Sequence, residues 1–242
     1  MSAPSLANHL IAAAKSLRDA AGRLRFKPPV TCVYNPLQYA WRAHEMYLRT
    51  YADRRKRVLF LGMNPGPFGM VQTGIPFGEV HAVRHWMKIE APIERPSYEI
   101  PKRPVQGFLC RRSEVSGQRL WGLFAERFGP AERFFAEHGV INYCPLAFFD
   151  NNSRNLTPDK LPAAQAAPLF NACDEHLRRV IRILEPDWLI GIGDFAAKRA
   201  LQISGGASLK VGRILHPSPA SPAANRDWAR QATEQLEALG VW

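Results

Sequence analysis

The sequence predicts one α/β domain of three layers, α/β/α, in which helices cover both faces of a central, mostly parallel four-stranded sheet. Two observations support this prediction. Short apolar runs alternate along the chain with longer segments whose apolar residues recur at helical spacing. Short runs of this kind are typical of strands buried on both faces of a parallel sheet. The four runs occupy residues 57–63, 139–143, 187–193 and 210–215. Because no internal repeat or linker divides the 242 residues, we expect a single domain over residues 1–242.

Residues 1–30 are expected to form an amphipathic helix packed on this domain. Its apolar positions recur at helical spacing, and they are Leu6, Leu10, Ala13, Leu17, Ala21 and Leu24. Lys27-Pro28-Pro29 ends the pattern. No basic segment precedes the apolar stretch, which argues against a signal peptide, although an organelle transit peptide would look similar. No apolar run approaches 18 residues, so we expect no membrane span.

The remaining periodicity predicts the helices and loops between the strands. The predicted helices span residues 36–52, 79–89, 117–128, 131–138, a long segment ending near 184, and 195–201. A last helix is expected to begin at Pro222, with Ser221 as its N-cap. The predicted loops span residues 64–78, 91–116 and 151–162, with one short strand at 107–110 inside the second of them.

The composition favours a nucleic-acid partner. The chain carries 32 Lys and Arg residues against 21 Asp and Glu residues, a formal net charge of +11. Positive charge of this size favours a polyanionic partner, although a solubilising surface would show the same balance. The four cysteines form no C-x-x-C pair, so we expect reduced thiols and no metal site. An iron–sulfur cluster with scattered ligands is the alternative for them.

Three polar residues point to one active site. Asn64, Asn142 and His216 each lie at or just beyond the end of a predicted strand. In parallel α/β sheets, ligands bind at the carboxyl ends of the strands, so we expect the three side chains to meet there. Two structural alternatives stay open, because His216 can be a purely structural histidine and Asn142 can simply cap its strand–loop junction.

Glycines mark two of the strand ends. The loop from Gly62 to Met70 is rich in Gly and Pro, which suits a rigid loop with exposed backbone N–H groups and an ordinary turn equally well. Phe77, in the following stretch, is a candidate for stacking on a planar ligand or for the core.

Gly191-Ile192-Gly193 opens a dinucleotide-binding pattern. No acidic residue follows at the expected distance, so close helix–strand packing explains these glycines and a nicotinamide cofactor is disfavoured.

The motifs resemble those of the single-strand-selective monofunctional uracil-DNA glycosylases, family 3 of the uracil-DNA glycosylase superfamily. Gly62 to Val80 reads G-M-N-P-G-P-F-G-M-V-Q-T-G-I-P-F-G-E-V and is similar to the first motif of that family. H-P-S-P at residues 216–219 resembles the second motif, and the segments at residues 101–104, 142–148 and 153–158 are also similar. The similarity runs from about residue 35 to the C-terminus. It departs at Ala220 and Ser221, where family members often carry Arg and Asn.

The resemblance implies a base-excision repair enzyme that flips uracil, and 5-hydroxymethyluracil, out of DNA and hydrolyses the N-glycosidic bond. It assigns water positioning to Asn64 and stabilisation of the leaving base to His216. It implies base binding by Met63, Gly66, Met70, Phe77 and Asn142. It implies DNA contacts by Lys102, Arg103, Ser116, Pro217, Ser218, Pro219, Ala220 and Ser221, the last five of which belong to a loop that wedges into the duplex.

The same resemblance implies no metal and no organic cofactor. The expected partner is uracil-containing DNA, single-stranded and also double-stranded, and the expected protein is a monomer. It would act in the bacterial cytoplasm at the nucleoid, or in the nucleus of a eukaryote. A non-catalytic α/β module that binds DNA or a nucleotide is the alternative function.

Overall fold

The computed structural model describes residues 5–205 and 208–242 of the chain, so the part of the predicted first helix at residues 1–4 lies outside the described residues. The strands are β1 (Cys32–Tyr34), β2 (Val58–Gly62), β3 (His138–Asn142), β4 (Ala147–Phe149), β5 (Asn155–Leu156), β6 (Trp188–Ile192) and β7 (Lys210–Ile214). The helices are α1 (Leu6–Arg23), α2 (Pro36–Tyr39), α3 (Trp41–Tyr51), α4 (Met70–Thr73), α5 (Val115–Phe128), α6 (Ala131–Glu137), α7 (Ala163–Leu184), α8 (Asp194–Ile203) and α9 (Trp228–Ala238).

The centre of the fold is a four-stranded parallel sheet of order β3-β2-β6-β7. Its strands are the four apolar runs of the sequence, so the predicted parallel sheet is confirmed. The register pairs Gly62 with Asn142 and Ile192 with Ile214, which are the last residues of their strands. All four carboxyl ends therefore reach the same edge of the sheet, where loops can carry functional side chains.

Helices cover both faces of this sheet. On one face, Leu59 of β2 lies with Leu10 of α1, Leu48 of α3 and Val180 of α7 around a small internal cavity. On the other face, the ring of Phe60 packs on aromatic rings of α5 and α6, with centroid distances of 5.1 and 6.3 Å. Successive residues of a strand point to opposite faces, so one apolar strand serves both helix layers. These layers confirm the predicted three-layer class.

A second, smaller sheet was not predicted. In it, β1 pairs antiparallel with β4, and β4 pairs antiparallel with β5. Tyr34 and Phe149 pack edge to face between the paired strands, with ring centroids 5.2 Å apart. The Tyr34 hydroxyl also donates to the Arg103 carbonyl at 2.9 Å. These strands have two or three residues each, too short to show a sequence periodicity.

Three local predictions were wrong. Residues 107–109 form a 3₁₀ turn instead of a strand, and Gly107 has φ +59°, which is incompatible with an extended strand. The last helix begins at Trp228 instead of Pro222, because its N-cap is Asp227, whose carboxylate accepts from the Arg230 N–H at 3.3 Å. The predicted loop at residues 64–78 contains the short helix α4.

The other helices differ from the predictions only in detail. The predicted helix at residues 36–52 is divided at Ala40 into α2 and α3. The predicted helix at 79–89 contains a π-helical turn at Ala82–Trp86. In α1, the expected apolar face is buried at Leu10, Ala13, Leu17 and Ala21. No described helix has both the length and the apolar character needed to cross a membrane.

We predict that Gly191→Ala destabilises the fold. A Cβ on Gly191 would lie 2.3 Å from the Ala197 backbone nitrogen and 2.4 Å from its Cα, so α8 could not keep its place against β6. Overpacking of this kind costs about 1–3 kcal/mol or more. The measurement is the free energy of unfolding from urea denaturation. Gly122→Ala is the control, because a Cβ there meets nothing within 4 Å and alanine favours the helix by about 1 kcal/mol. Equal stability of Gly191→Ala and the wild type would contradict the prediction.

Candidate active site

An open cavity of about 530 Å³ lies at the carboxyl edge of the parallel sheet, within the size range of small-molecule sites. Asn64, Asn142 and His216 all line it, so the structure brings together the three polar residues that the sequence placed at strand ends. Asn142 ends β3, Asn64 follows β2, and His216 follows β7. The remaining polar and aromatic lining comes from the loops at residues 65–77, 112–116, 155–157 and 218–219.

Gly62 lets two side chains meet on the floor of the cavity. A Cβ on Gly62 would lie 2.3 Å from the Asn142 amide oxygen and 2.5 Å from Cε2 of the Phe77 ring. The amide and the edge of the ring therefore lie directly over the Gly62 backbone. Phe77 has φ +51°, an unusual conformation for an aromatic residue. Its carbonyl accepts from Trp121 Nε1 at 2.9 Å, which helps to hold that conformation.

The Asn142 side chain is buried and only partly hydrogen-bonded. Its Nδ2 donates to the thioether sulfur of Met70 at 3.3 Å, a weak acceptor. Its Oδ1 is buried and has no hydrogen-bond partner among the residues that the structure describes. Leaving a buried acceptor unpaired costs about 1–3 kcal/mol, so this oxygen is available for a ligand donor. The hydrogen bond that orients this amide is the one to the Met70 sulfur.

Asn64 is oriented by a loop of the second sheet. Its Nδ2 donates to the Leu146 carbonyl at 3.2 Å, which turns the amide and leaves Oδ1 without a protein donor in the described chain. The backbone before it is fixed as well, because the Met63 carbonyl accepts from the Cys144 N–H at 2.9 Å. The parallel pairing of β2 and β3 thus continues beyond the strands and holds Asn64 at the cavity.

His216 is a neutral hydrogen-bond donor. Burial lowers its pKa to about 4, so the imidazole is uncharged at neutral pH. The Ser218 backbone N–H donates to Nδ1 at 3.1 Å, and a nitrogen that accepts cannot carry the proton. The proton of the neutral ring is therefore on Nε2. The ring centroid lies 6.1 Å from that of Phe77, so both rings face the same cavity.

The other predicted residues divide into those at the cavity and those away from it. Met63, Gly66, Ser116, Ser218 and Pro219 line the cavity with the residues above. The Met70 sulfur accepts a hydrogen bond from Asn142, and the role of Met70 in base binding stays a prediction.

The predicted DNA-contacting residues outside the cavity differ in exposure, because Pro217 is buried and Arg103 and Ser221 are partly buried. Lys102 is exposed, and Arg103 donates to the Ser153 carbonyl at 3.0 Å. Hydrogen bonds fix both ends of the segment from Pro217 to Ser221. Arg119 donates to the Pro217 carbonyl at 3.1 Å, and Ser221 Oγ accepts from the Ala224 N–H at 3.4 Å. Ala220 itself is exposed.

The cavity wall also contains an acidic side chain that was not predicted from the sequence. Glu114 precedes α5 and places its carboxyl group over Gly66 and Gly69. Burial, with the nearby Glu79 carboxylate, raises the pKa of Glu114 to about 7. Arg112 was also missed as a lining residue, and its guanidinium lies 4.0 Å from the centroid of the Phe68 ring. The sequence carries no local signal that the segment at 112–116 folds back over the loop at 64–69.

No group of three or more His, Cys, Asp and Glu side chains suited to a metal ion occurs within residues 5–205 and 208–242. The four cysteines are buried and unpaired. The polar side chains that line the cavity are three amides, one imidazole, one carboxyl group, one guanidinium and four hydroxyl groups, those of Asn64, Asn142, Asn155, His216, Glu114, Arg112, Ser113, Ser116, Thr157 and Ser218.

We predict that the His216 resonances do not titrate between about pH 5.5 and 8, because desolvation of the partly buried ring lowers its pKa to about 4. Two-dimensional ¹⁵N spectra of the imidazole should show the proton on Nε2. The His216→Leu variant assigns the signal, and the urea-unfolded chain provides the reference pKa of about 6.5. A midpoint near 6.5 in the folded protein, or a proton on Nδ1, would contradict the prediction.

Comparisons with known proteins agree with the motifs. The model of the Uracil DNA glycosylase superfamily matches residues 49–237. The chain is 44% identical over 239 residues to "Single-strand selective monofunctional uracil DNA glycosylase" of Mus musculus, which covers 98% of this chain and 86% of the relative. The protein of the same name from Bos taurus is also 44% identical over 239 residues, covering 98% of this chain and 88% of the relative.

A solved structure supports the fold alone. The crystal structure of wild-type Pedobacter heparinus SMUG2 superimposes with a TM-score of 0.66 at 18% sequence identity, over 94% of this chain and 97% of that one. The resemblance noted in the sequence is confirmed by the family model and by the two mammalian relatives, which match nearly the whole chain. This chain belongs to the uracil DNA glycosylase superfamily and, within it, to the single-strand selective monofunctional uracil DNA glycosylases.

Proposed function

We propose that this protein is a monofunctional uracil-DNA glycosylase of base-excision repair. It extrudes uracil from DNA and hydrolyses the N-glycosidic bond, which leaves an abasic site. One observation carries the proposal: the buried, unpartnered Oδ1 of Asn142 lies beside the Phe77 ring in a cavity that also holds Asn64 and His216. A planar base that presents a hydrogen-bond donor at its edge fits this arrangement.

Uracil recognition rests on Asn142. Uracil presents a donor at N3–H and an acceptor at O4, and the Asn142 amide offers the complement of both. Its free Oδ1 accepts from N3–H, and the second hydrogen of Nδ2, the one not directed at Met70, donates to O4. Cytosine reverses both groups, and each buried mismatch costs about 1–3 kcal/mol. Phe77 stacks on the face of the base.

Bond cleavage produces an oxocarbenium-like sugar and an anionic uracil. His216 donates from Nε2 to uracil O2, where the negative charge develops. A fixed donor of this kind is worth about 3 kcal/mol in the transition state. Because the imidazole is neutral and its tautomer is set by the Ser218 N–H, the donor is in place before the reaction starts.

Asn64 positions the attacking water through its free Oδ1. Many glycosidases use a carboxylate for this step, whereas an amide is a poor base. An amide suffices if the cationic sugar forms first and the water adds late. The bond between Nδ2 and the Leu146 carbonyl sets the direction of the oxygen. No lysine lines the described cavity as a Schiff-base nucleophile, and the proposed hydrolysis requires neither metal nor organic cofactor.

The bound DNA is expected to contact the exposed surface around the cavity. Phosphate affinity comes from the net charge of +11, with Lys102 and Arg103 as contributors and Ser116 and Ser218 as neutral contacts. The loop from Pro217 to Ser221 is the wedge that enters the duplex, so we include double-stranded DNA with single-stranded DNA as substrate. We expect a monomer that acts at the nucleoid in the bacterial cytoplasm or, in a eukaryote, in the nucleus.

A single assay separates this function from a non-catalytic DNA-binding module. The protein is incubated with a single-stranded oligonucleotide that contains one uracil, and the product is treated with alkali. Cleavage at the uracil position after alkali, with an intact strand before it, is the result expected of a monofunctional glycosylase. Binding of the oligonucleotide without any alkali-labile product would leave the binding module as the function.

We predict that Asn64→Ala and His216→Leu each lower the single-turnover rate of uracil excision by roughly 100-fold or more. The first removes the water anchor and the second removes the donor to O2, while both leave the phosphate contacts in place. DNA affinity, measured by fluorescence anisotropy, should change little. His9→Leu, an exposed position on α1, is the control and should keep the wild-type rate. A near-wild-type rate in either variant would show that the role of that residue is misassigned.

We predict that Asn142→Asp weakens uracil excision and permits detectable cytosine excision, because a carboxylate can accept from the cytosine N4 amine. Matched single strands that carry U or C at one position give both rates for the same variant. Unchanged uracil excision would remove Asn142 from base recognition. Loss of uracil excision without a gain on cytosine would leave the role of Asn142 and show that other groups of the cavity also reject cytosine.

A further inference from the structure

We propose that a surface beside the cavity binds the unpaired DNA segment next to the extruded nucleotide. This rim surface consists of Phe68, Arg103, Leu109, Arg111 and Arg112. The proposal rests on the proposed function, because it assumes a DNA strand with one nucleotide in the cavity. It extends that function by assigning contacts to bases and phosphates that stay outside the cavity.

The rim surface carries an apolar side chain that faces solvent. Leu109 is 81% exposed, the largest fraction of any large hydrophobic side chain among the described residues. Its neighbours Phe108 and Cys110 are both buried, so the exposure of Leu109 does not come from a segment that lies free of the fold. Single exposed leucines are common on protein surfaces, and the surroundings of Leu109 therefore decide its meaning.

Hydrogen bonds fix the turn that presents Leu109. The side-chain oxygen of Gln72 accepts from the N–H groups of Gln106 and Gly107 at 2.8 and 3.1 Å. The side-chain nitrogen of Gln72 donates to the Pro67 carbonyl at 2.9 Å, and Pro67 lines the cavity. Gln72 itself is buried. One buried amide thus links the turn to the cavity wall, so Leu109 keeps a fixed place next to the cavity.

Two guanidinium groups of the rim surface lie against one aromatic ring. The Arg112 guanidinium is 4.0 Å from the centroid of the Phe68 ring, and the Arg103 guanidinium is 5.4 Å from it. Phe68 and Arg112 also line the cavity, so this group of side chains adjoins the site that we propose for the base. Aromatic rings and guanidinium groups in a positively charged groove are typical of sites for single-stranded nucleic acids.

The positive charge of the rim surface is not neutralised by the protein. Arg111 and Arg112 are exposed, and neither lies within 4 Å of a carboxylate oxygen of the described residues. Arg84 differs in this respect, because it pairs with Glu90 at 2.7 Å. An apolar side chain beside unpaired guanidinium groups suits single-stranded DNA, which offers an apolar base face and one phosphate per nucleotide.

The rim surface and the predicted wedge reach the cavity from different strands. The wedge at residues 217–221 follows β7, whereas Phe68 follows β2, and β6 lies between these two strands in the sheet. A DNA strand whose nucleotide enters the cavity continues from it in two directions. Two separate surfaces can therefore hold the nucleotides before and after the extruded one, and the rim surface is one of them.

The first test measures binding to a single strand that carries one 2′-fluorinated deoxyuridine, since fluorine at C2′ disfavours the cationic sugar and keeps the strand intact. Fluorescence anisotropy gives Kd over a range of salt concentrations. We expect Leu109→Ala to weaken binding at least about 5-fold at every salt concentration, because it removes an apolar contact without a change in charge. Arg111→Gln should lower the slope of log Kd against log salt concentration by about 0.7, the value for one phosphate contact to a single strand.

The second test separates binding from chemistry on the same strand with unmodified deoxyuridine. Both variants should raise the protein concentration that gives the half-maximal single-turnover rate. The rate at saturation should stay within about 2-fold of the wild type, since the rim surface contacts nucleotides that do not react. A lower rate at saturation with an unchanged half-saturating concentration would overturn the inference.

Leu201→Ala and Arg178→Gln are the matched controls. Leu201 is 63% exposed on α8 and Arg178 is exposed on α7, and neither is among the described residues that line the cavity. Both controls should keep the wild-type affinity and salt slope. Wild-type binding in Leu109→Ala and Arg111→Gln would overturn the inference, as would equal losses in the controls. If the wild type releases no uracil, the proposed function fails, a result distinct from a wild type that excises uracil while the rim variants bind unchanged.

Discussion

The site depends on one steric constraint, the absence of a side chain at the end of β2. A Cβ on Gly62 would overlap both the Asn142 amide and the Phe77 ring, so neither could take its place if the strand ended in another residue. The sheet register determines which other residues reach the site, since it pairs Gly62 with Asn142 and brings the ends of β6 and β7 to the same edge. The close approach of backbone, amide and ring at this point defines where a planar base can lie.

The side chains assigned to the reaction are uncharged, whereas the chain as a whole carries a formal net charge of +11. The groups assigned to the reaction, Asn64, Asn142 and His216, carry no charge at neutral pH, and burying uncharged groups costs far less than burying ions. Asn64 and His216 are oriented by backbone groups and Asn142 by the Met70 sulfur, so little rearrangement is needed when charge develops on the base. In the proposed function, the excess of Lys and Arg supplies affinity for the DNA phosphates.

The sequence predicted the features that depend on local pattern. Apolar periodicity predicts the four strands of the parallel sheet and the long helices. The positions of the strand ends predict that Asn64, Asn142 and His216 meet. The second sheet could not be predicted in this way, because its strands are only two or three residues long and form by pairing between distant segments. The position of Glu114 is non-local too, since it depends on residues 112–116 folding back over Gly66 and Gly69. The short helix α4 could not be predicted either, because four residues are too few to show a helical periodicity.

The central claim is that the cavity at the carboxyl edge of the sheet holds an extruded uracil. A crystal structure of the Asn64→Ala variant with a uracil-containing oligonucleotide tests it most directly, because the slowed variant should keep the substrate intact. We predict that the base lies outside the stack and on the Phe77 ring, with N3 within about 3.2 Å of Asn142 Oδ1 and O2 at the same distance from His216 Nε2. A uracil that stays stacked in the strand, or that binds with another edge toward Asn142, would contradict it.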